Sequence, residues 1–273
     1  MSQGSWIDQF PGNFMWSNAT LVCKGMAPYG AVAIGEIDRI CERLAARGMG
    51  DPDAWWQEWC SMAEKNEKLA DAAAFDGRDF TAGEHYLRAG NYYYTGERFV
   101  PPGERKLGIY KKALRCYQEG LKRRHKNIEF VEVPYEGKTL PAYFMKAQNT
   151  TGRATTVVLF DGMDNCKEMS ALFAGLEFAR RGINTLAIDG PGQGEALRLR
   201  RIHARHDYEG SGHRGVRVRG EAPGRRSEKN RDHGLQLRGL LRTAHRRLRA
   251  PLRRLRVPGR AALGPARLAI EDQ

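Results

Sequence analysis

The chain has 273 residues, with 45 basic and 32 acidic side chains and a formal net charge of +13. That length allows one large domain or two small ones, and no apolar run is long enough to cross a bilayer. The five cysteines are odd in number and lack CxxC spacing, which excludes a disulfide framework and a cysteine zinc site. Residues 1–6 lack the basic start and apolar stretch of a signal peptide, so reduced, buried thiols in a cytoplasmic protein are expected.

The charge is unevenly placed. Residues 210–273 carry 16 Arg and 1 Lys against 5 acidic residues, whereas the first 209 carry 28 basic and 27 acidic groups. A near-neutral globular chain therefore precedes a strongly basic tail, and the two need separate explanations.

Residues 1–30 are aromatic (Trp6, Phe10, Phe14, Trp16, Tyr29) and read as irregular. Val32, Ile34, Ile37, Ile40, Cys41 and Leu44 then recur at helical spacing, and Gly48 and Gly50 end that helix. Asp51-Pro52-Asp53 starts a second helix, with Trp55, Trp56, Trp59, Met62, Ala63 and Leu69 along one side. A third, over 80–94, is rich in Tyr, and a fourth, over 104–124, places Leu107, Tyr110, Leu114, Tyr117 and Leu121 on one stripe. The aromatic stripes read as helix packing, with an aromatic wall over a binding site as the alternative.

After Arg123-Arg124-His125-Lys126 the period changes from helical to alternating. Residues 128–133 and 140–145 form the arms of a hairpin around Glu136-Gly137-Lys138. A βαβ unit follows. The apolar run 154–160 is a strand that ends in Asp161-Gly162-Met163-Asp164-Asn165-Cys166. Residues 167–181 form a helix closed by Gly182, and 183–188 form a second strand ending in Asp189-Gly190-Pro191-Gly192-Gln193-Gly194-Glu195. Ligands of open α/β sheets bind at the carboxyl ends of such strands, so any chemistry is expected near 162–164 and 189–195. The Gly-rich run lacks both the Walker Gly-Lys-Ser/Thr and the Gly-x-Gly-x-x-Gly spacing, which argues against a phosphate loop. Residues 210–273 contain no Phe, Trp, Tyr, Met or Cys, and Arg makes up a quarter of them.

Asp161-Gly162-Met163-Asp164-Asn165-Cys166-Lys167-Glu168, the Asp189 to Glu195 run and Asp207-Tyr208-Glu209 together resemble α/β-hydrolases. The resemblance is to the group containing 2,6-dihydropseudooxynicotine hydrolase and its esterase-like relatives, and it spans about residues 30–209. It implies an α/β fold, with a helical cap region (1–127) and the first half of a parallel α/β-hydrolase sheet (128–209), while composition marks 210–273 as a disordered Arg-rich tail. It also implies a serine hydrolase without a cofactor or metal, cleaving an ester or a β-diketone-like C–C bond of a small acyl or diketone-like substrate. In such enzymes Ser attacks the carbonyl, His is the base and backbone amides hold the oxyanion.

On this resemblance, Gly162 and the Met163 N–H supply an oxyanion donor. Asp164, Asp189, Gly190, Gly192, Gln193 and Gly194 shape the mouth of the site. Asp189 precedes where the nucleophile belongs and so is not the triad acid. Lys167 and Glu168 are expected to start the helix and pair on its surface. His203, His206, His213, His233 and His245 show no metal spacing, and His203 and His206 read as solvated.

The Gly-x-Ser-x-Gly elbow that should come next is missing, since Ser211 and Ser227 lie outside any such motif. Shifted by one base, codons for 230–237 accommodate Ile-Ala-Ile-Met-Gly-Tyr-Ser, and the following codons a Gly-Gly pair. A frameshift near codon 209 is therefore expected to have replaced the catalytic half, which leaves this chain without an identifiable nucleophile, acid or His. The alternative is a non-catalytic interaction protein whose basic tail binds nucleic acid nonspecifically. The tail has no interleaved aromatics for base stacking.

Overall fold

The computed structural model describes residues 6–48, 51–152, 154–160, 162, 164–204 and 237–238. The chain begins with helices. The stretch expected to be irregular contains one, α1 (Phe14–Lys24). The Asn13 side chain caps it by accepting from the Trp16 N–H at 3.1 Å. Trp16, Ala19, Thr20 and Cys23 form its buried face. Small and polar members dilute that stripe, which is why the period was hard to see.

The next helices follow the expected order: α2 (Ile34–Arg47), α3 (Pro52–Phe75), α4 (Asp79–Glu97) and α5 (Glu104–Arg124). The Asp51 carboxylate caps α3 by accepting from the Asp53 N–H at 2.9 Å. Trp55 and Trp59 of α3 are core residues, while Trp56 is half-buried at their edge. Trp16 and Trp55 ring centroids lie 5.1 Å apart, Trp55 and Trp59 5.3 Å, and Trp59 and Tyr92 6.0 Å. Leu69 departs from the expected stripe and is exposed, because the buried line of α3 runs through Asn66, Ala70 and Ala73 instead. Helices α4 and α5 approach closely at Gly90, where a β-carbon would stand 2.9 Å from the Tyr117 ring.

The sheet begins with β1 (Ile128–Tyr135) and β2 (Lys138–Met145), antiparallel and joined by the two-residue turn Glu136-Gly137. Both turn residues have positive φ, +46° and +73°, as a type I′ hairpin requires. Next comes β3 (Thr156–Phe160), followed by a helical rod made of α6 (Lys167–Ser170), a π-helical turn (Ala171–Gly175) and α7 (Leu176–Arg180). Strand β4 (Asn184–Ile188) lies parallel to β3 and antiparallel to β2. Helix α8 (Gly194–Arg198) follows it. A two-residue strand, β5 (Leu237–Arg238), pairs parallel to the end of β3, and the strand order is β1-β2-β4-β3-β5. The rest of the expected disordered tail lies outside the described residues.

Every residue of β3 and β4 is buried, as a strand covered on both faces must be. Val157, Leu159 and Ala187 join one continuous core with the helices, while Val158, Phe160, Leu186 and Ile188 pack on the opposite face with Val133, Leu140, Ala196 and Ile202. The helical region is therefore seated on the sheet. All five cysteines are buried free thiols.

Candidate active site

Parallel pairing in register brings Phe160 level with Ile188, so the turns after β3 and β4 emerge side by side. The Asp189 carboxylate organises both. Its Oδ1 accepts from the Lys167 N–H at 2.7 Å, and its Oδ2 accepts from the Glu195 N–H at 2.8 Å. The Lys167 ammonium donates to the same Oδ2 at 3.1 Å and to Glu195 Oε2 at 2.9 Å, and lies 2.7 Å from Glu168 Oε1. Asp189 thus fixes the first residue of α6 and the first turn of α8 at once.

The glycines of the 189–195 run serve this arrangement. A β-carbon on Gly194, whose φ is +36°, would stand 2.2 Å from Asp189 Oδ2, so no other residue fits beside the carboxylate. Gln193 bridges the two turns: its Oε1 accepts from the Gly190 N–H at 2.8 Å, and its Nε2 donates to the Gly162 carbonyl at 3.3 Å.

Lys167 and Glu168, expected on the helix surface, are 0% and 1% exposed, which corrects that reading. The first turn of α6 lies beneath the strand ends, so a charge there needs a buried partner, and Asp189 and Glu195 supply it. The partners lie 22 and 28 positions downstream, beyond the reach of local pattern reading. The signal available was an Asp directly after an apolar strand, whose charge calls for a cation nearby.

Burial works against the Lys167 ammonium, but Asp189 and Glu168 hold its pKa well above the usual lysine value. Burial pushes the Glu168 carboxyl up, against the pull of Lys167. Glu195 extends the network outward, its Oε1 accepting from Arg200 at 2.7 and 3.1 Å. Arg200 in turn donates to Glu132 on β1 at 2.8 Å. That hydrogen bond holds the Glu132 carboxyl below the ordinary carboxylate range.

A second set of contacts ties the helical region to the same turns. Tyr94 Oη donates to the Asn165 carbonyl at 3.1 Å and Arg98 donates to the Asp164 carbonyl at 2.8 Å. Arg198 of α8 pairs with the buried Glu97, its guanidinium 5.4 Å from the Tyr94 ring centroid and 5.0 Å from that of Tyr110. Sequence reading did not find this pair, whose members are 101 positions apart.

Of the residues expected to shape the site, Gly162 is half-buried with its carbonyl held by Gln193, and the Asp164 side chain is exposed. Asp189 is fully buried within the network, and Gly190, Gly192, Gln193 and Gly194 form the turn around it. Met163 lies outside the described residues, as do His206, His213, His233 and His245, while His203 is exposed. Among the described residues no group of His, Cys, Asp and Glu is arranged to hold a metal. The centre of the three carboxylates is filled by the Lys167 ammonium. No helix among the described residues is long and apolar enough to cross a membrane.

These features define an α/β protein whose helical region covers the carboxyl ends of parallel strands. No protein-family model matches the chain. It is 32% identical over 208 residues to hydrolase LUC6 of Fusarium sp, a match covering 73% of this chain and 48% of that protein. It is 30% identical over 205 residues to alpha/beta hydrolase xenA of Xenoacremonium sinensis, with the same coverage of 73% and 48%. Among solved structures, 2,6-dihydroxy-pseudo-oxynicotine hydrolase superposes with a TM-score of 0.59 at 24% identity, over 74% of this chain and 55% of that one. That last likeness is one of fold. The chain belongs to the α/β-hydrolase family, and it spans about half the length of the curated relatives it matches.

Proposed function

We propose that residues 1–127 are the cap and residues 128–209 the first half of the catalytic core of a serine hydrolase acting on an ester or β-diketone-like C–C bond. The observation that carries this reading is the pair of strand-end turns locked by Asp189 and Lys167, in a chain about 30% identical to proteins named as hydrolases. In such a hydrolase a backbone amide beside Gly162 receives the developing oxyanion, and a Ser from the next strand attacks the carbonyl. The substrate is a small acyl or diketone-like molecule, and no cofactor takes part.

This chain as written lacks the Gly-x-Ser-x-Gly elbow and carries the Arg-rich segment 210–273 in its place. It is therefore inactive, and the segment is the product of a frameshift near codon 209. Purified protein should not hydrolyse a p-nitrophenyl ester above the blank. Turnover abolished by a serine-directed phosphonate overturns the inactivity. The coding DNA should read open in the +1 frame after codon 209 with a Ser elbow, and early stops there overturn the frameshift.

A second reading rests on the local charge of residues 210–273, 17 basic against 5 acidic groups. Such a polycation binds nucleic acid through phosphate contacts. The affinity should fall steeply with salt and be indifferent to sequence, and deleting the segment should abolish it. Sequence-selective binding would count against an accidental polycation.

A further inference from the structure

The two sides of the sheet are built differently. Strand β1 has the marks of an edge: Glu129, Glu132 and Pro134 are exposed along it, and charge and proline discourage the pairing of a further strand. Strand β3, on the far side of β4, carries no charge and no proline, and each of its five residues is at most 8% exposed. Thr156-Val157-Val158-Leu159-Phe160 is the composition of an interior strand, which calls for a neighbour on both sides.

Among the described residues the second neighbour is β5. It runs parallel to β3, with Leu237 level with Leu159 and Arg238 level with Phe160. The sequence around it sets how far the pairing extends. Gly234 and Gly239 bracket the alternating run Leu235-Gln236-Leu237-Arg238, the pattern of a short strand between two breaks. Continued two residues back, the same register sets Leu235 level with Val157 and Gln236 level with Val158. Positions 235 and 237, both Leu, then fall on the face where Val157 and Leu159 join the core shared with the helices. A slip of one residue would put the positions of Gln236 and Arg238 there instead. The connection reaches without difficulty: residues 205–236 separate Ala204 from β5, well beyond the roughly one dozen residues that a parallel connection needs.

We propose that residues 235–238 are an edge strand of this chain's own sheet, docked in parallel on β3, so that a piece of the Arg-rich segment closes an apolar edge. The inference concerns the sheet alone and stands whether or not the chain hydrolyses an ester.

Backbone amide NOEs in the isotope-labelled full chain test the register. They should join 235 to 157 and 237 to 159, and should keep their intensity relative to NOEs between β3 and β4 when labelled protein is diluted with unlabelled. Leu237→Pro takes a backbone donor out of the run, and amide exchange at 157–160 should quicken by roughly tenfold or more while α3 is unchanged. Ala261→Pro, outside the run, should leave exchange in β3 as it is. Should Leu237→Pro fail to fold, the NOEs of the parent chain decide. Absence of the NOE between 235 and 157, or β3 exchange that Leu237→Pro leaves unaltered, overturns the strand. NOEs that weaken on dilution overturn it as well, because the occupant of the edge is then a second copy.

Discussion

The Asp189 carboxylate accepts from both the backbone N–H and the ammonium of Lys167, at 2.7 and 3.1 Å, so one side chain pins the start of a helix by main chain and side chain together. This contact makes the turns after β3 and β4 a single rigid unit. Through Glu195 and Arg200 it reaches Glu132 on β1. A network of this kind is electrostatically committed: each charge is tolerable only while its partners stay in place.

Lys167→Met should therefore be far more damaging than its conservative volume suggests. It leaves Asp189, Glu195 and Glu168 facing one another, with Arg200 the remaining paired cation among the described residues. Loss of one partner from a buried pair costs about 3–5 kcal/mol. Urea unfolding followed by circular dichroism should show a midpoint lowered to match. A midpoint within error of the parent would mean that the ammonium contributes little.

Glu97→Ala tests the seat of the helical region on the sheet. Glu97 is 0% exposed and compensates both Lys106, at 2.6 Å, and Arg198. Its removal leaves Arg198, half-buried beside two tyrosine rings, without the Glu97 counter-charge, at a cost of up to about 3 kcal/mol. Proteolysis should then cut first at the contact between α4 and α8. A pattern of cleavage unaltered from the parent would argue that the hydrophobic core alone holds the helices down.

The regular parts of this fold were legible because their periods are clean. Ile37, Ile40, Cys41 and Leu44 on α2 repeat at helical spacing, residues 128–133 read as alternating, and β3 and β4 are short, mostly apolar, β-branched runs. Helix α1 escaped because Ala19 and Thr20 on its buried face carry little hydrophobic signal. The site was legible as a place, the paired strand ends, but not as a mechanism of construction. Lys167 looks like any lysine at a helix start, and its burial follows only once α6 is laid beneath β3 and β4. Glu97 and Arg198 were out of reach for the same reason: a buried charge is defined by a partner that sequence distance conceals.

His125 should make stability depend on pH. Burial, with Arg124 and Arg180 nearby, lowers its pKa from 6.5 to about 4. The imidazole is thus neutral in the fold at pH values where the unfolded chain is already protonated. Because the folded pKa is depressed, the stabilising difference is complete above pH 6.5 and disappears progressively as pH falls towards 4. A shift of this size corresponds to at most about 3 kcal/mol. His125→Gln should flatten the stability profile across that window, measured by urea unfolding at successive pH values. A slope that persists in the variant would assign the effect to other groups.

Gly194→Ala is the sharpest test of the turn itself. The residue has a φ of +36°, and the added methyl carbon would stand 2.2 Å from Asp189 Oδ2 and 2.4 Å from its Cγ. Neither atom can retreat without breaking a hydrogen bond, because the carboxylate is held by the N–H groups of Lys167 and Glu195. Strain at positive φ and loss of the Asp189 contacts act together, and a destabilisation of about 3 kcal/mol or more is expected. Amide hydrogen exchange at Lys167 and Glu195 should accelerate in the variant more than exchange in α3, whose contacts lie elsewhere. Uniform acceleration throughout the chain would show instead that the turn unfolds only with the whole domain.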